Sequence, residues 1–345
     1  MKIKHYSQKW NPAFALAILL FVTQACGAPS NEAIPTLGPN KVQTSVTGTL
    51  AVEELQPLNG LYVNNATGND AANCSLSAPC KTYERAQDIF ITGDVIHFAG
   101  IYPDKVTITK TGIVIDGGSI AAPQTSVNEA LLIDASNIQI RNLDVSGGYA
   151  FTARTKVSAK VNNLAMDNVT VHDGVWQNRA GEKCIDAETW GRGLSIDWAS
   201  NVTLTNMHIY NNCGEGLGVL NSSNVTMINI NTHDNWSRNV YIDGSKNITL
   251  SGYYAGCINP NFYRTGGGQK GVGFGMETSK AQLPLKNILI ERGMIEKCQG
   301  INVYVETPVS LTDVVIRDNR FIDVPAPLVN VPRATVSNNV TIPPP

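Results

Sequence analysis

The chain has 345 residues, enough for two ordinary domains or one elongated one. Lysine and arginine (26) nearly balance aspartate and glutamate (28), so nothing favours electrostatic capture of nucleic acid, and 43% hydrophobic residues argue against disorder. Asparagine is the anomaly: 34 copies point to a chain that turns often and has no long helices.

The N-terminus carries Lys2, Lys4 and Lys9, then an apolar run from Ala13 to Val22, then the small residues Ala25, Cys26 and Gly27. The run is too short to cross a bilayer as a helix, and residues 1–26 read as an export signal. Cys26 stands where a bacterial lipoprotein signal places its lipid-bearing cysteine, although Thr23 replaces the usual leucine. Two outcomes stay open: lipidation of Cys26, or plain cleavage near Ala25 or Ala28. No later stretch is long and apolar enough to span a membrane. Residues 27–57, with Pro29, Pro35 and Pro39 and no clear period, read as a tether. A folded domain is expected over 58–340 and a tail over 341–345. Setting Cys26 aside leaves six cysteines, an even number that suits an oxidising compartment. No CxxC pair is present, so a structural zinc site is not expected.

A repeat dominates residues 137–320. Each unit opens on Asn and continues apolar, polar, apolar, then a two-residue bend, then apolar, polar, apolar. Copies start at Asn137, Asn163, Asn201, Asn224, Asn247, Asn287 and Asp313. A third segment of period two follows in the unit, as in Leu194-Ser195-Ile196, Leu217-Gly218-Val219 and Val240-Tyr241-Ile242. Each unit is therefore three short strands and three turns. Such a unit cannot bury its apolar face alone and must stack on copies of itself. Coiling and stacking it gives an all-β parallel β-helix, a three-sheet solenoid of about nine or ten coils. The bend holds Asn142, Asn168, Asn206 and Asn229 in successive units, which predicts a hydrogen-bonded asparagine ladder whose column fades at Gly252, Arg292 and Asp318. Cys213 follows Cys184 by one coil, and Cys298 follows Cys257 by one coil. The expected disulfides are Cys74–Cys80, Cys184–Cys213 and Cys257–Cys298.

With these units, the chain resembles the right-handed parallel β-helix proteins of the pectate-lyase-like superfamily. The opening segment supports the resemblance. Tyr62 to Asp70, Ala78 to Thr82 and Gly93 to Tyr102 look like the first coil of bacterial carbohydrate-active members. The resemblance covers residues 60 to about 340 and implies the fold. It bears only loosely on activity, because the superfamily holds polysaccharide lyases, glycoside hydrolases, uronan epimerases, esterases and non-catalytic adhesins.

The resemblance implies an active face on the sheet that precedes the Asn-initiated strand. The residue after the second inward apolar of that strand reads Asp116, Asp134, Lys160, Asp197, Leu220, Asp243, Glu277 and Glu306 along the chain. Asp197 and Asp243 alternate with Ile196 and Ile242 and so face outward. Asp197, Arg238, Tyr241 and Asp243 are the candidate catalytic residues. Asp243 and Glu277, one coil apart, are candidate ligands for a shared Ca²⁺. Trp176, Trp190, Tyr210, Trp236 and Tyr263, several of them in insertions at 174–192 and 257–272, are candidate sugar-stacking residues. The plainer alternatives are that strand-end acids only block lateral sheet pairing, and that Arg192, Glu215 and Arg238 form a surface ion-pair ladder. His172-Asp173 and His233-Asp234 occupy the same place two coils apart. Turn hydrogen bonding is expected there rather than a shared metal. The resulting expectation is an exported monomer acting on acidic polysaccharide by β-elimination. A glycoside hydrolase, a uronan epimerase or a non-catalytic cell-surface glycan-binding protein are the alternatives.

Overall fold

The computed structural model describes residues 60–185, 190–264, 272–276, 285–305, 312–331 and 334–344. The signal, the tether, Cys26 and Glu277 lie outside the described residues.

One coil shows how sequence becomes structure. Ser200–Thr205 forms a first strand, the chain bends at Asn206, His208–Tyr210 forms a second strand, and Glu215–Leu220 forms a third. The next coil begins at Ser223. Equivalent strands of successive coils pair in parallel, with aliphatic residues in register. Val202, Val225, Ile248, Ile288 and Val314 form one inward column; Leu204, Met227, Leu250, Ile290 and Ile316 form another. In the third sheet, Ile196, Val219 and Ile242 line up likewise. All of these side chains are buried. Each contributes on the order of 1.5–3 kcal/mol by leaving water. Among the described residues the third strands make a nine-stranded sheet, and the first and second strands, continuous around the bend, make one of 19. The main hydrophobic core runs from Leu61 to Val324. The last strand, Val340–Ile342, carries the final coil past the expected boundary at 340.

The asparagines have a second cause beside the expected ladder. Every unit-opening residue from Asn137 to Asp313 has a positive φ, between 54 and 59°. The bend residues Asn142, Asn168, Asn206 and Asn229 also have positive φ. Asn tolerates this left-handed conformation better than other side-chain-bearing residues. The asparagine ladder of the bend ends at Asn229 as expected, but the backbone conformation continues: Gly252, Arg292 and Asp318 keep a positive φ with different side chains. The ladders lie at the surface. The longer one is at the unit openings, where Asn224 Nδ2 donates to Asn201 (2.9 Å), Asn247 to Asn224 (2.8 Å) and Asn287 to Asn247 (3.1 Å). The bend ladder breaks once, because Asn206 donates to Asp167 instead of Asn168.

The three expected disulfides are present, with Cα–Cα separations of 4.5, 5.1 and 5.2 Å. A short helix, Tyr83–Ile89, was not evident in the sequence. Thr82 caps it, and its buried Tyr83 packs against Phe98 of the first coil. No helix among the described residues is long and apolar enough to cross a membrane.

Candidate functional site

The outward side of the third sheet carries a charged cluster. Arg192 pairs in register with Glu215, Ser195 with Gly218 and then Tyr241, and Asp197 with Leu220 and then Asp243. Arg192 Nε lies 2.6 Å from Glu215 Oε2, and an Arg238 nitrogen lies 3.7 Å from Oε1 of the same carboxylate. Gly218 makes room for this: a Cβ there would lie 2.4 Å from Arg192 Cδ. The Arg238 guanidinium sits 4.4 Å from the Tyr241 ring centre, and the Tyr241 hydroxyl donates to Asp243 Oδ2 at 3.0 Å. Toward the N-terminal coils, Arg154 and Lys105 both hold Glu129, at 3.2 and 2.5 Å. Four cations thus face four carboxylates along one sheet.

This is not the surface ladder the sequence suggested. Glu215 is 1% exposed, and Arg238, Asp197, Tyr241 and Asp243 are each 7–8% exposed. Charges removed from water this far carry a large desolvation cost that pairing only partly repays. Burial raises the Asp197 pKa above the usual carboxylate range, although Arg192 pulls the other way. Burial also raises the Tyr241 hydroxyl, helped by Asp243 and Glu215, so the phenol stays protonated. For Arg192, burial works against the cation, but Glu215 and Asp197 outweigh it and hold the charge.

A buried polar column fixes the turn leading into this sheet. Thr152 Oγ1 donates to Asn212 Oδ1 (2.9 Å), Asn212 Nδ2 donates to Asn235 Oδ1 (3.0 Å), and Asn235 Nδ2 donates to Asn239 Oδ1 (3.0 Å). Outside it the two insertions meet. Cys184 N–H donates to the Asn261 carbonyl at 3.0 Å, and the Arg179 guanidinium lies 4.6 Å from Trp176 and 5.1 Å from Phe262. Trp236 packs against Val175, Cys184, Cys213 and Phe262. A cleft of about 530 Å³ opens beside this wall, lined by Gln124, His172, Asp173, Trp176, Arg179 and Glu182 among others.

This architecture recurs in solved structures. The chain is similar to a pectate lyase, Pel9A, at 12% identity over 83% of this chain and 78% of that one, with a TM-score of 0.54. The chain is a right-handed parallel β-helix. It also aligns with an alginate lyase from Paenibacillus sp. str. FPU-7 (11% identity, 82% of this chain, 98% of that one, TM-score 0.40). A third match is the A-module of the Azotobacter vinelandii mannuronan C-5 epimerase AlgE4 (10% identity, 84% and 87%, TM-score 0.43). No family model matches the sequence, and no curated protein does.

The β-helix brings together Asp197, Arg238, Tyr241 and Asp243, and adds Arg192 and Glu215 to them. Other expectations shift with the register. Asp116 lies on a first strand, Val114–Ala121, opposite Arg141. Lys160 follows a one-turn helix, Val157–Ala159, off the sheet. Asp243 faces Gly275 in the next coil, not Glu277. Glu277, the other expected Ca²⁺ ligand, lies outside the described residues; among the described ones no group of three or more His, Cys, Asp or Glu is placed to hold a metal ion. The five aromatics do not form one platform. Trp176 and Trp236 belong to the insertion wall, Trp190 is exposed, Tyr263 packs on the main core, and Tyr210 lies on a second strand.

Tyr210 sits in a second cluster on that other face of the β-helix. His172, Tyr210 and His233 are in register on successive second strands, with ring centres 5.0 and 5.3 Å apart and nearly parallel planes. His172 is held by Asp173 (2.7 Å) and Asp144 (3.2 Å). Burial opposes its charge, but the two carboxylates raise its pKa to about 9. His208, at the start of the strand that carries Tyr210, reaches His233 diagonally, with the two Nε2 atoms 3.0 Å apart, a contact with no sequence signal.

Proposed function

We propose that this β-helix is an exported enzyme of acidic polysaccharides, that its active face is the third sheet around Asp197, and that it acts by β-elimination. The observation that carries the reading is Asp197. It is an outward-facing carboxylate, nearly buried, whose pKa is raised although Arg192 adjoins it. A strand-end acid that only blocks sheet pairing needs no such burial. A perturbed group of this kind within a charged cluster is a candidate for proton transfer. The three disulfides suit export.

The roles follow from the contacts. Asp197 takes the carbon-bound proton next to the uronate carboxylate, and its raised pKa makes it a better base than a solvated carboxylate. Arg192 and Arg238, both set against Glu215, supply the positive charge that the substrate's carboxylate would meet on this face. Tyr241, protonated and held by Asp243, supplies a proton to the departing oxygen. One observation favours a second reading. Asp197 and Asp243 share a column two strands apart, ~9.6 Å, near the upper limit for the acid and base of an inverting glycosidase.

The test is a screen of uronate polysaccharides with and without Ca²⁺, following ultraviolet absorbance of the unsaturated product and new reducing ends. Absorbance means elimination, and reducing ends alone mean hydrolysis. Asp197→Asn is expected to lower either rate by roughly a hundredfold or more. A protein that retains these glycans yet makes neither product is a binding protein, and the catalytic reading falls.

A further inference from the structure

Two features of the second-strand cluster go beyond turn hydrogen bonding: the diagonal approach of His208 to His233, and the carboxylate behind His233. We propose that His208 and His233 form a binding site for a late first-row divalent transition ion, Zn²⁺, Ni²⁺ or Cu²⁺. The site lies on the second strands, outside the charged third sheet, and is independent of any catalysis there.

The geometry is that of two ligands converging on one point. Imidazole nitrogens bind such ions at ~2.0–2.1 Å, so two of them at tetrahedral or right angles lie ~2.9–3.4 Å apart. The Nε2 atoms of His208 and His233 are 3.0 Å apart. The far nitrogen of His233, Nδ1, is 2.8 Å from Asp234 Oδ2. That bond places the proton on Nδ1 and leaves Nε2 with its lone pair facing His208. Metal-binding histidines commonly use this arrangement, in which a carboxylate fixes tautomer and ring orientation. Asp234 is itself fixed, because its Oδ1 accepts from the backbone N–H groups of Ile258 (2.6 Å) and Asn259 (2.7 Å). The ring planes are braced too: Tyr210 stacks on His233 and tilts against His208 at 4.4 Å.

The rest of the cluster sharpens the assignment. His172 is excluded as a ligand because both of its nitrogens already face carboxylates. Tyr254 lies beyond His233, at 6.5 Å between rings, and its hydroxyl is committed to Glu296 at 3.0 Å. The protein thus supplies two nitrogens, and solvent or a ligand fills the other positions. Imidazole pairs suit zinc, nickel and copper rather than Ca²⁺ or Mg²⁺.

The test uses untagged protein, titrated calorimetrically with Zn²⁺ and Ni²⁺ in a non-coordinating buffer slightly above neutral pH. One equivalent should bind saturably. His208→Gln and His233→Gln should each weaken binding at least tenfold, and His172→Gln should leave it unchanged. Asp234→Asn should weaken it by roughly ten- to a hundredfold. The wild-type Cu²⁺ complex should show two equatorial imidazole nitrogens by electron paramagnetic resonance, a readout that needs no variant to fold. Absence of saturable binding, binding that survives either His208→Gln or His233→Gln, or a copper spectrum without two such nitrogens would overturn the proposal.

Discussion

Asn224 separates the two reasons the repeat has for keeping asparagine. Its φ is 56°, it donates to Asn201 at 2.9 Å, and it accepts from Asn247 at 2.8 Å, all at the surface. Holding an ordinary L-residue in the left-handed region costs ~1–2 kcal/mol. Two solvent-exposed hydrogen bonds add ~1 kcal/mol together, from the lower part of the usual range. Asn224→Ala should therefore destabilise by ~2–3 kcal/mol. Asn224→Gly loses the ladder but keeps the backbone conformation, so its loss should be about 1 kcal/mol smaller. Asn231→Ala, exposed and without a positive φ, should stay within ~0.5 kcal/mol of wild type. Urea unfolding followed by circular dichroism measures all three. If the Ala and Gly variants at 224 unfold at the same urea concentration, backbone conformation is not what selects asparagine there, and the account given for the whole column is wrong.

Three further outcomes follow from particular contacts. His172 has its pKa raised from 6.5 to about 9 in the folded protein, so its stabilising contribution is complete below ~6.5 and is lost as pH rises through 9. The melting temperature should fall across that window in wild type, and the fall should shrink in His172→Gln. Glu215→Gln leaves two nearly buried arginines without their shared carboxylate and should cost ~3–5 kcal/mol by urea unfolding; a loss below 1 kcal/mol would mean the cluster is better hydrated than its burial implies. The double variant Cys184→Ser/Cys213→Ser opens a link of 29 residues and should lose about 3 kcal/mol, read as a lower urea midpoint.

The fold was legible because its signal is periodic. Val202, Val225 and Ile248 recur in sequence at the interval at which they stack in space, so the core and two of the coil-to-coil disulfides follow from counting. Counting fails where a unit departs from the repeat. Val157–Ala159 moves Lys160 off the third sheet, and the longer coil after Asp243 sets it opposite Gly275. It also misses what depends on depth. Arg192, Glu215 and Arg238 alternate in sign as a solvated ladder does, and only the folded chain shows them nearly dry. Diagonal contacts are equally hidden: the register pairs His208 with Asn231, yet its ring reaches His233. The buried Asn212–Asn235 column had a sequence signal, the recurrence at 23 residues, but it was masked by the many surface asparagines with the same interval.

The parallel register also determines how the molecule responds to tension. A chain pulled from its ends loses one coil at a time, since each coil is held mainly by its neighbours. The regular coils starting at Asn201 and Asn224 contain 23 residues each, so each release lengthens the chain by ~80 Å at ~3.4 Å per residue. Cys184–Cys213 and Cys257–Cys298 lock 29 and 41 residues of that length between coils. Reduction therefore changes how far the protein can be stretched as well as how stable it is, so a β-helix stapled in this way has an extensibility set by its redox surroundings.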